Sequence, residues 1–106
     1  MIKLGILGST KGTDLQTILD AISSGKLDAE VPVVLSNRKS AYILERAENH
    51  RIPAEFVSHK GKTREEFDTE MTTVLKEHNV DLVLLIGFMR ILSAEFCQEW
   101  HNKLLN

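Results

Sequence analysis

The chain has 106 residues, of which 42% are hydrophobic and 26% charged, with a formal net charge of −2. That length makes one small domain, the apolar fraction excludes a disordered chain, and the slightly acidic balance argues against a nucleic-acid surface. The single cysteine, Cys97, excludes an internal disulfide; no apolar run could span a bilayer, and Met1 leads into an apolar stretch without a basic leader, so a cytoplasmic protein is expected.

In chain order, Ile2, Leu4, Ile6 and Leu7 predict a buried strand, followed by a turn bracketed by Gly8 and Gly12. Thr13 and Gln16 have capping-box spacing and predict a helix starting near Asp14. Leu15, Ile18, Leu19 and Ile22 form its apolar face, and Gly25 marks its stop. Val31, Val33, Val34 and Leu35 predict a second strand in which Pro32 marks an edge or an entry point. A polar turn, Ser36 to Lys39, leads to a helix over Ala41 to His50 with Ile43, Leu44 and Ala47 inward. Pro53 to Val57 is a short strand, and Ser58 to Lys62 a basic loop. Thr63 and Glu66 form a second capping box, opening a helix with Phe67, Met71, Val74 and Leu75 on one face. Leu82 to Ile86 is a continuous apolar run, the pattern of a strand buried on both faces of a parallel sheet. Ser93 caps a short helix to Trp100, and Lys103 to Leu105 begins a fifth strand.

This alternation predicts a Rossmann-like α/β fold, a parallel sheet of four to five strands with flanking helices, formed by residues 1–106 as one unit. Ligands of such sheets bind beyond the carboxyl ends of the strands. The turn at Gly8–Asp14, the Asn37 turn, the basic loop and the stretch Gly87–Leu92 should therefore share one rim.

A strand that turns through glycines into a helix N-terminus aims backbone N–H groups and the helix dipole at one point, which suits a phosphate. Lys11 adds a positive charge there, and Asp14 should cap or point away. The turn is neither a Walker A loop nor a clean Gly-x-Gly-x-x-Gly. A plain tight turn is the bland alternative. A dinucleotide site is another, since Arg38 and Lys39 at the end of the second strand could receive the extra phosphate of NADP. Arg90, embedded in Gly87-Phe88-Met89-Arg90-Ile91-Leu92-Ser93, is either a structural group or part of an apolar slot whose backbone meets a flat ring. The histidines at 50, 59, 78 and 101 are too scattered for a metal motif and read as surface residues. Cys97, beside Phe96 and Trp100, reads as packing. Lys60, Lys62 and Arg64 form a basic cluster that could attract an anionic tail.

Gly87-Phe88-Met89-Arg90-Ile91-Leu92-Ser93, with Leu104-Leu105-Asn106 downstream, resembles the phosphoribosylglycinamide formyltransferases, the folate-dependent enzymes of purine biosynthesis. Gly8 to Gln16 resembles their substrate-phosphate loop, and Ser36-Asn37, Glu45-Arg46-Ala47 and Thr63 to Asp68 also fit. The resemblance spans the chain, which corresponds to the N-terminal half of those enzymes and stops at the start of their catalytic motif. It implies that Lys11, Gly12, Thr13 and Asp14 bind the phosphate of glycinamide ribonucleotide. It further implies that Arg64, Met89, Arg90, Ile91, Leu92 and Asn106 bind 10-formyltetrahydrofolate, that Asn106 is catalytic, and that no metal takes part. The family's catalytic histidine and aspartate follow Asn106, so the chain alone is expected to be inactive. The implied function is formyl transfer from the folate to the ribonucleotide amine. An NADP-binding module of a reductase and a non-catalytic interaction fragment are the alternatives. An uncovered edge at Leu82–Ile86 would lead to self-association, or to pairing with the C-terminal half.

Overall fold

Five strands and four helices alternate through residues 1–106 in the computed structural model, which describes the whole chain. They are β1 (Ile2–Gly8), α1 (Thr13–Ser23), β2 (Ala29–Ser36), α2 (Tyr42–Asn49), β3 (Ala54–Phe56), α3 (Arg64–Glu77), β4 (Leu82–Ile86), α4 (Ala94–Glu99) and β5 (Leu104–Leu105). All strand pairs are parallel, in the order β3-β2-β1-β4-β5. No helix is long and apolar enough to cross a membrane.

The two sheet faces carry separate cores. On one, Leu4, Ile6, Val31, Val34 and Ile86 pack with Leu15 of α1 and with Ile43 and Ala47 of α2. On the other, Leu7, Val33, Leu35 and Val83 pack with Phe67, Met71 and Leu75 of α3 and with Phe96 and Trp100 of α4. The chain thus winds outward from β1 to β3 under α1 and α2, then crosses back over the opposite face to β4. The direction reverses between β1 and β4, the place where doubly wound sheets open a crevice. Gly8 lies level with Ile86 in the register, so both strands end together at that crevice.

Four expectations need correction. Pro32 lies in an inner strand, not at an edge: the β1–β2 register gains one residue on the β2 side between Glu30 and Val33, and β3 begins pairing only at Val34. This bulge also explains why Val31 and Val34, of opposite parity, share one core. The first helix has no Thr13 capping box; Gly12 is its N-cap, with φ 71°, and no side chain caps it. Gln16 bonds Asp20 and Arg46 instead. β4 is less covered than a strand buried on both faces: Val83 and Ile86 are buried, while Leu82, Leu84 and Leu85 are half-buried. The two-residue β5 covers too little of its outer side. Cys97 is exposed rather than packed, because Phe96 and Trp100, four residues apart, take the inward face of α4 and turn Cys97 outward.

The expected caps of the later helices are present. Thr63 and Glu66 form a reciprocal capping box at α3, and the Ser93 hydroxyl accepts from the Phe96 N–H at α4.

Candidate substrate site at the carboxyl rim

One buried side chain joins three of the four loops of the rim. Ser9, only 2% exposed, follows the last residue of β1. Its hydroxyl donates to Asn37 Oδ1 at 2.6 Å, beyond β2, and accepts from the Met89 N–H at 2.9 Å, beyond β4. Its own N–H donates to the Gly87 carbonyl at 3.2 Å. Strand-end turns that sequence treats as separate are therefore one hydrogen-bonded unit.

The residues expected to bind phosphate, Lys11, Gly12, Thr13 and Asp14, lie next to this unit. Thr10 to Asp14, with Ile86 and Gly87, line an open cleft of about 340 Å³. Gly12 is buried with φ 71°, and a Cβ built on it would stand 2.4 Å from Ile43 Cγ1. No other residue combines that conformation with that approach of α2. Gly87, at φ 59°, would bring a Cβ to 2.6 Å from Thr10 Oγ1, so the cleft is narrow at its base. The loop is held from behind: Arg46 Nε donates to the Lys11 carbonyl at 3.0 Å, and the Ile43 N–H donates to the Thr10 carbonyl at 3.0 Å. Lys11, Thr13 and Asp14 are exposed at the mouth. Asp14 lies in the first turn of α1, where the helix dipole favours an acidic side chain.

The stretch after β4 alternates. Met89 and Ile91 are 69% and 73% exposed, while Arg90 and Leu92 turn inward. Arg90 lays its guanidinium over the Phe67 ring, 5.3 Å from the centroid. Its Nε is buried without a partner in the protein. His59 meets the edge of the same ring at 6.3 Å between centroids. The histidine is thus half-buried at the rim rather than a surface residue, and its Nδ1 is also buried without a partner. The N–H groups of Arg90, Ile91 and Leu92 and the carbonyls from Phe88 to Leu92 make no hydrogen bond within the protein. This run of donors and acceptors beside two exposed apolar side chains suits the edge of a flat heteroaromatic ring.

Arg64 stands exposed at the first position of α3, one turn before the buried Asp68, whose carboxyl group accepts from the Ser93 N–H at 2.6 Å. That spacing of one helical turn puts Arg64 and Asp68 on the same side of α3. Asn106 is exposed immediately after β5; with Leu105 paired to Leu84, it lies one step further along the rim, level with Leu85. The basic cluster is partly spent, since Lys62 pairs with Glu70. Ser9, Arg46 and Asp68 are the functional candidates that sequence reading does not single out. A lone serine or arginine carries no pattern, although an aspartate on the apolar stripe Phe67, Asp68, Met71, Leu75 is a visible irregularity.

A family model described as formyl transferase matches residues 2–106. The chain belongs to the formyl transferase family. It is 40% identical over 107 residues to a phosphoribosylglycinamide formyltransferase of Haemophilus influenzae, covering 100% of this chain and 50% of that protein. It is 39% identical over 105 residues to the human trifunctional purine biosynthetic protein adenosine-3, covering 98% of this chain and 10% of that one. Among solved structures it is similar to glycinamide ribonucleotide transformylase 1 of Symbiobacterium toebii, with a TM-score of 0.94, 36% identity and coverage of 98% of this chain and 50% of that one. The phosphoribosylglycinamide formyltransferase of Coxiella burnetii aligns with a TM-score of 0.93, 33% identity and coverage of 97% and 49%. The chain therefore spans about half the length of the single-function relatives it matches. The formyl transferase fold agrees with the Rossmann-like sheet of five parallel strands.

Proposed function

We propose that this chain carries the phosphate-binding and folate-binding parts of a site that transfers a formyl group from 10-formyltetrahydrofolate to the amine of glycinamide ribonucleotide, a step of purine biosynthesis. The observation that carries the reading is the Ser9 joint, which sets the Gly12 turn and the unbonded backbone from Arg90 to Leu92 on either side of one crevice. A transfer enzyme needs its two substrates side by side, and holding them so removes much of the entropic barrier.

Lys11, Gly12, Thr13 and Asp14 hold the phosphate: the backbone at the N-terminus of α1 supplies donors and the Lys11 ammonium supplies charge. Asp14 takes part through its backbone N–H only, with its carboxylate directed away from the anion. Arg64 and the backbone of Met89, Arg90, Ile91 and Leu92 hold the folate, with Met89 and Ile91 covering its ring. The amine attacks the formyl carbon, and the Asn106 amide donates to the oxygen on which negative charge develops. Collapse of the tetrahedral intermediate breaks the bond from the formyl carbon to N10, and N10 leaves as tetrahydrofolate carrying the proton lost by the amine. His101 is not the acid–base group that moves the amine proton, since it precedes β5 while Asn106 follows it at the strand's other end.

Titration of the chain with glycinamide ribonucleotide, 10-formyl-5,8-dideazafolate and NADP, followed by amide NMR shifts, tests this. The ribonucleotide should move Gly12 and Thr13, and the folate should move Arg90 to Leu92. NADP binding centred on Arg38 would overturn the proposal in favour of a dinucleotide module.

A further inference from the structure

We infer that Asp68 is a positioning residue, one of two pins that hold the backbone from Arg90 to Leu92 taut for a heteroaromatic ligand; the inference rests on the formyl-transfer reading of that stretch. The first pin is Ser9, whose hydroxyl accepts from the Met89 N–H at 2.9 Å. The second is Asp68, whose Oδ2 accepts from the Ser93 N–H at 2.6 Å. Between the two anchored amides, the N–H groups of Arg90, Ile91 and Leu92 have no partner in the protein. A segment of irregular backbone with three free donors would ordinarily sample many conformations, because fixing each residue costs conformational entropy. Pinning both ends limits that freedom before a ligand arrives, so less of it is lost on binding.

Asp68 is an unusual group for a purely structural duty. It is 3% exposed and lies on the apolar stripe of α3 between Phe67 and Met71. Its second oxygen, Oδ1, is buried with no partner in the protein. An acidic side chain buried with one oxygen unmet costs stability, and a smaller neutral residue would avoid that cost. What the aspartate supplies is reach and a strong acceptor: α3 projects it across 25 positions of sequence to the one N–H that ends the stretch. The Ser93 hydroxyl cannot do this, because it caps α4 through the Phe96 N–H. Arg90 lies in the same cluster, stacked on Phe67, so the middle of the stretch is tied to the same turn of α3.

The test uses the 106-residue chain, Asp68→Ala and Asp68→Asn. Affinities for 10-formyl-5,8-dideazafolate and for glycinamide ribonucleotide are measured by NMR titration, and exchange of the Ser93 amide by hydrogen–deuterium exchange. Asp68→Ala releases the Ser93 end of the stretch, so folate affinity should fall ~10-fold, on the order of the entropy of ordering one further residue on binding. Ribonucleotide affinity should stay unchanged, and Ser93 exchange should accelerate. Asp68→Asn keeps an oxygen acceptor and should restore both folate affinity and slow exchange. A general loss of structure would weaken both ligands alike and would not be rescued by asparagine. If Asp68→Ala does not fold, Asp68→Ser, too short to reach Ser93, replaces it with the same expectation. Unchanged folate affinity alongside accelerated Ser93 exchange overturns the inference. If the unmutated chain binds neither ligand, the formyl-transfer reading fails by itself. The pins are then judged by exchange alone: slow exchange at Ser93 lost in Asp68→Ala supports them, and equal exchange overturns them.

Discussion

Ser9 is used three times: its hydroxyl donates to Asn37 and accepts from Met89, and its N–H donates to Gly87. Ser9→Ala keeps the backbone bond but leaves Asn37 Oδ1 without a partner in a buried place and the Met89 N–H without one in a part-buried place. Unmet buried groups cost ~1–3 kcal/mol each side of a broken bond. Chemical denaturation should therefore show a loss of about 2 kcal/mol or more, a large fraction of a small domain's stability. Because the serine joins both of the loops proposed to bind ligand, affinity for the ribonucleotide and for the folate should fall together. Asp68→Ala should weaken only the folate. A Ser9→Ala chain with native stability and native affinities would show that the joint is ornamental.

At the scale of elements, each helix start has its own physics. The N-terminus of α1 is capped by a glycine in the left-handed region, which leaves its first N–H groups uncovered by any side chain. That is a poor cap for stability and a good one for an anion, which can supply the missing acceptor. The N-terminus of α3 is closed by its reciprocal box: the Glu66 N–H donates to Thr63 Oγ1 and the Thr63 N–H donates to Glu66 Oε1. Thr63→Ala should cost about 1 kcal/mol. The Glu66→Ala loss should overlap with it, so that the double variant falls short of the sum in a double-mutant cycle. Since α3 carries Arg64 and Asp68, fraying its first turn should weaken folate binding and leave phosphate binding at α1 intact. Equal weakening of both ligands would argue that the two arms are not held by separate elements.

For the molecule as a whole, the weak side is the β4–β5 edge. β5 pairs only with Val83 and Leu84, so the carboxyl end of β4 runs past its partner. Leu105 on that edge is 51% exposed. The unpaired N–H and C=O groups of such an edge recruit other strands. The 106-residue chain should self-associate at high concentration, or bind a separate polypeptide that adds strands beyond β5. Light scattering across a concentration series checks this; a monomer throughout, with one cooperative thermal transition, would count against it.

Periodicity and turn chemistry already determined the order of elements, the parallel α/β class and the rim that carries the loops. Those properties follow from local rules: apolar spacing, capping residues and the need of parallel strands for helical crossovers. The capping box at Thr63 and Glu66 was legible because both partners lie within one helical turn. The same spacing misled at Thr13 and Gln16, where Gly12 and the approach of Ile43 set the helix start instead. The phosphate turn and the Gly87–Ser93 stretch were legible as motifs, but their meeting was not. The contacts that bring the site together join residues 28, 80 and 25 positions apart, Ser9 to Asn37, Ser9 to Met89 and Asp68 to Ser93. Only the tertiary structure decides such pairs, because a hydrogen bond across the sheet depends on register and loop geometry rather than on neighbouring residues in the chain.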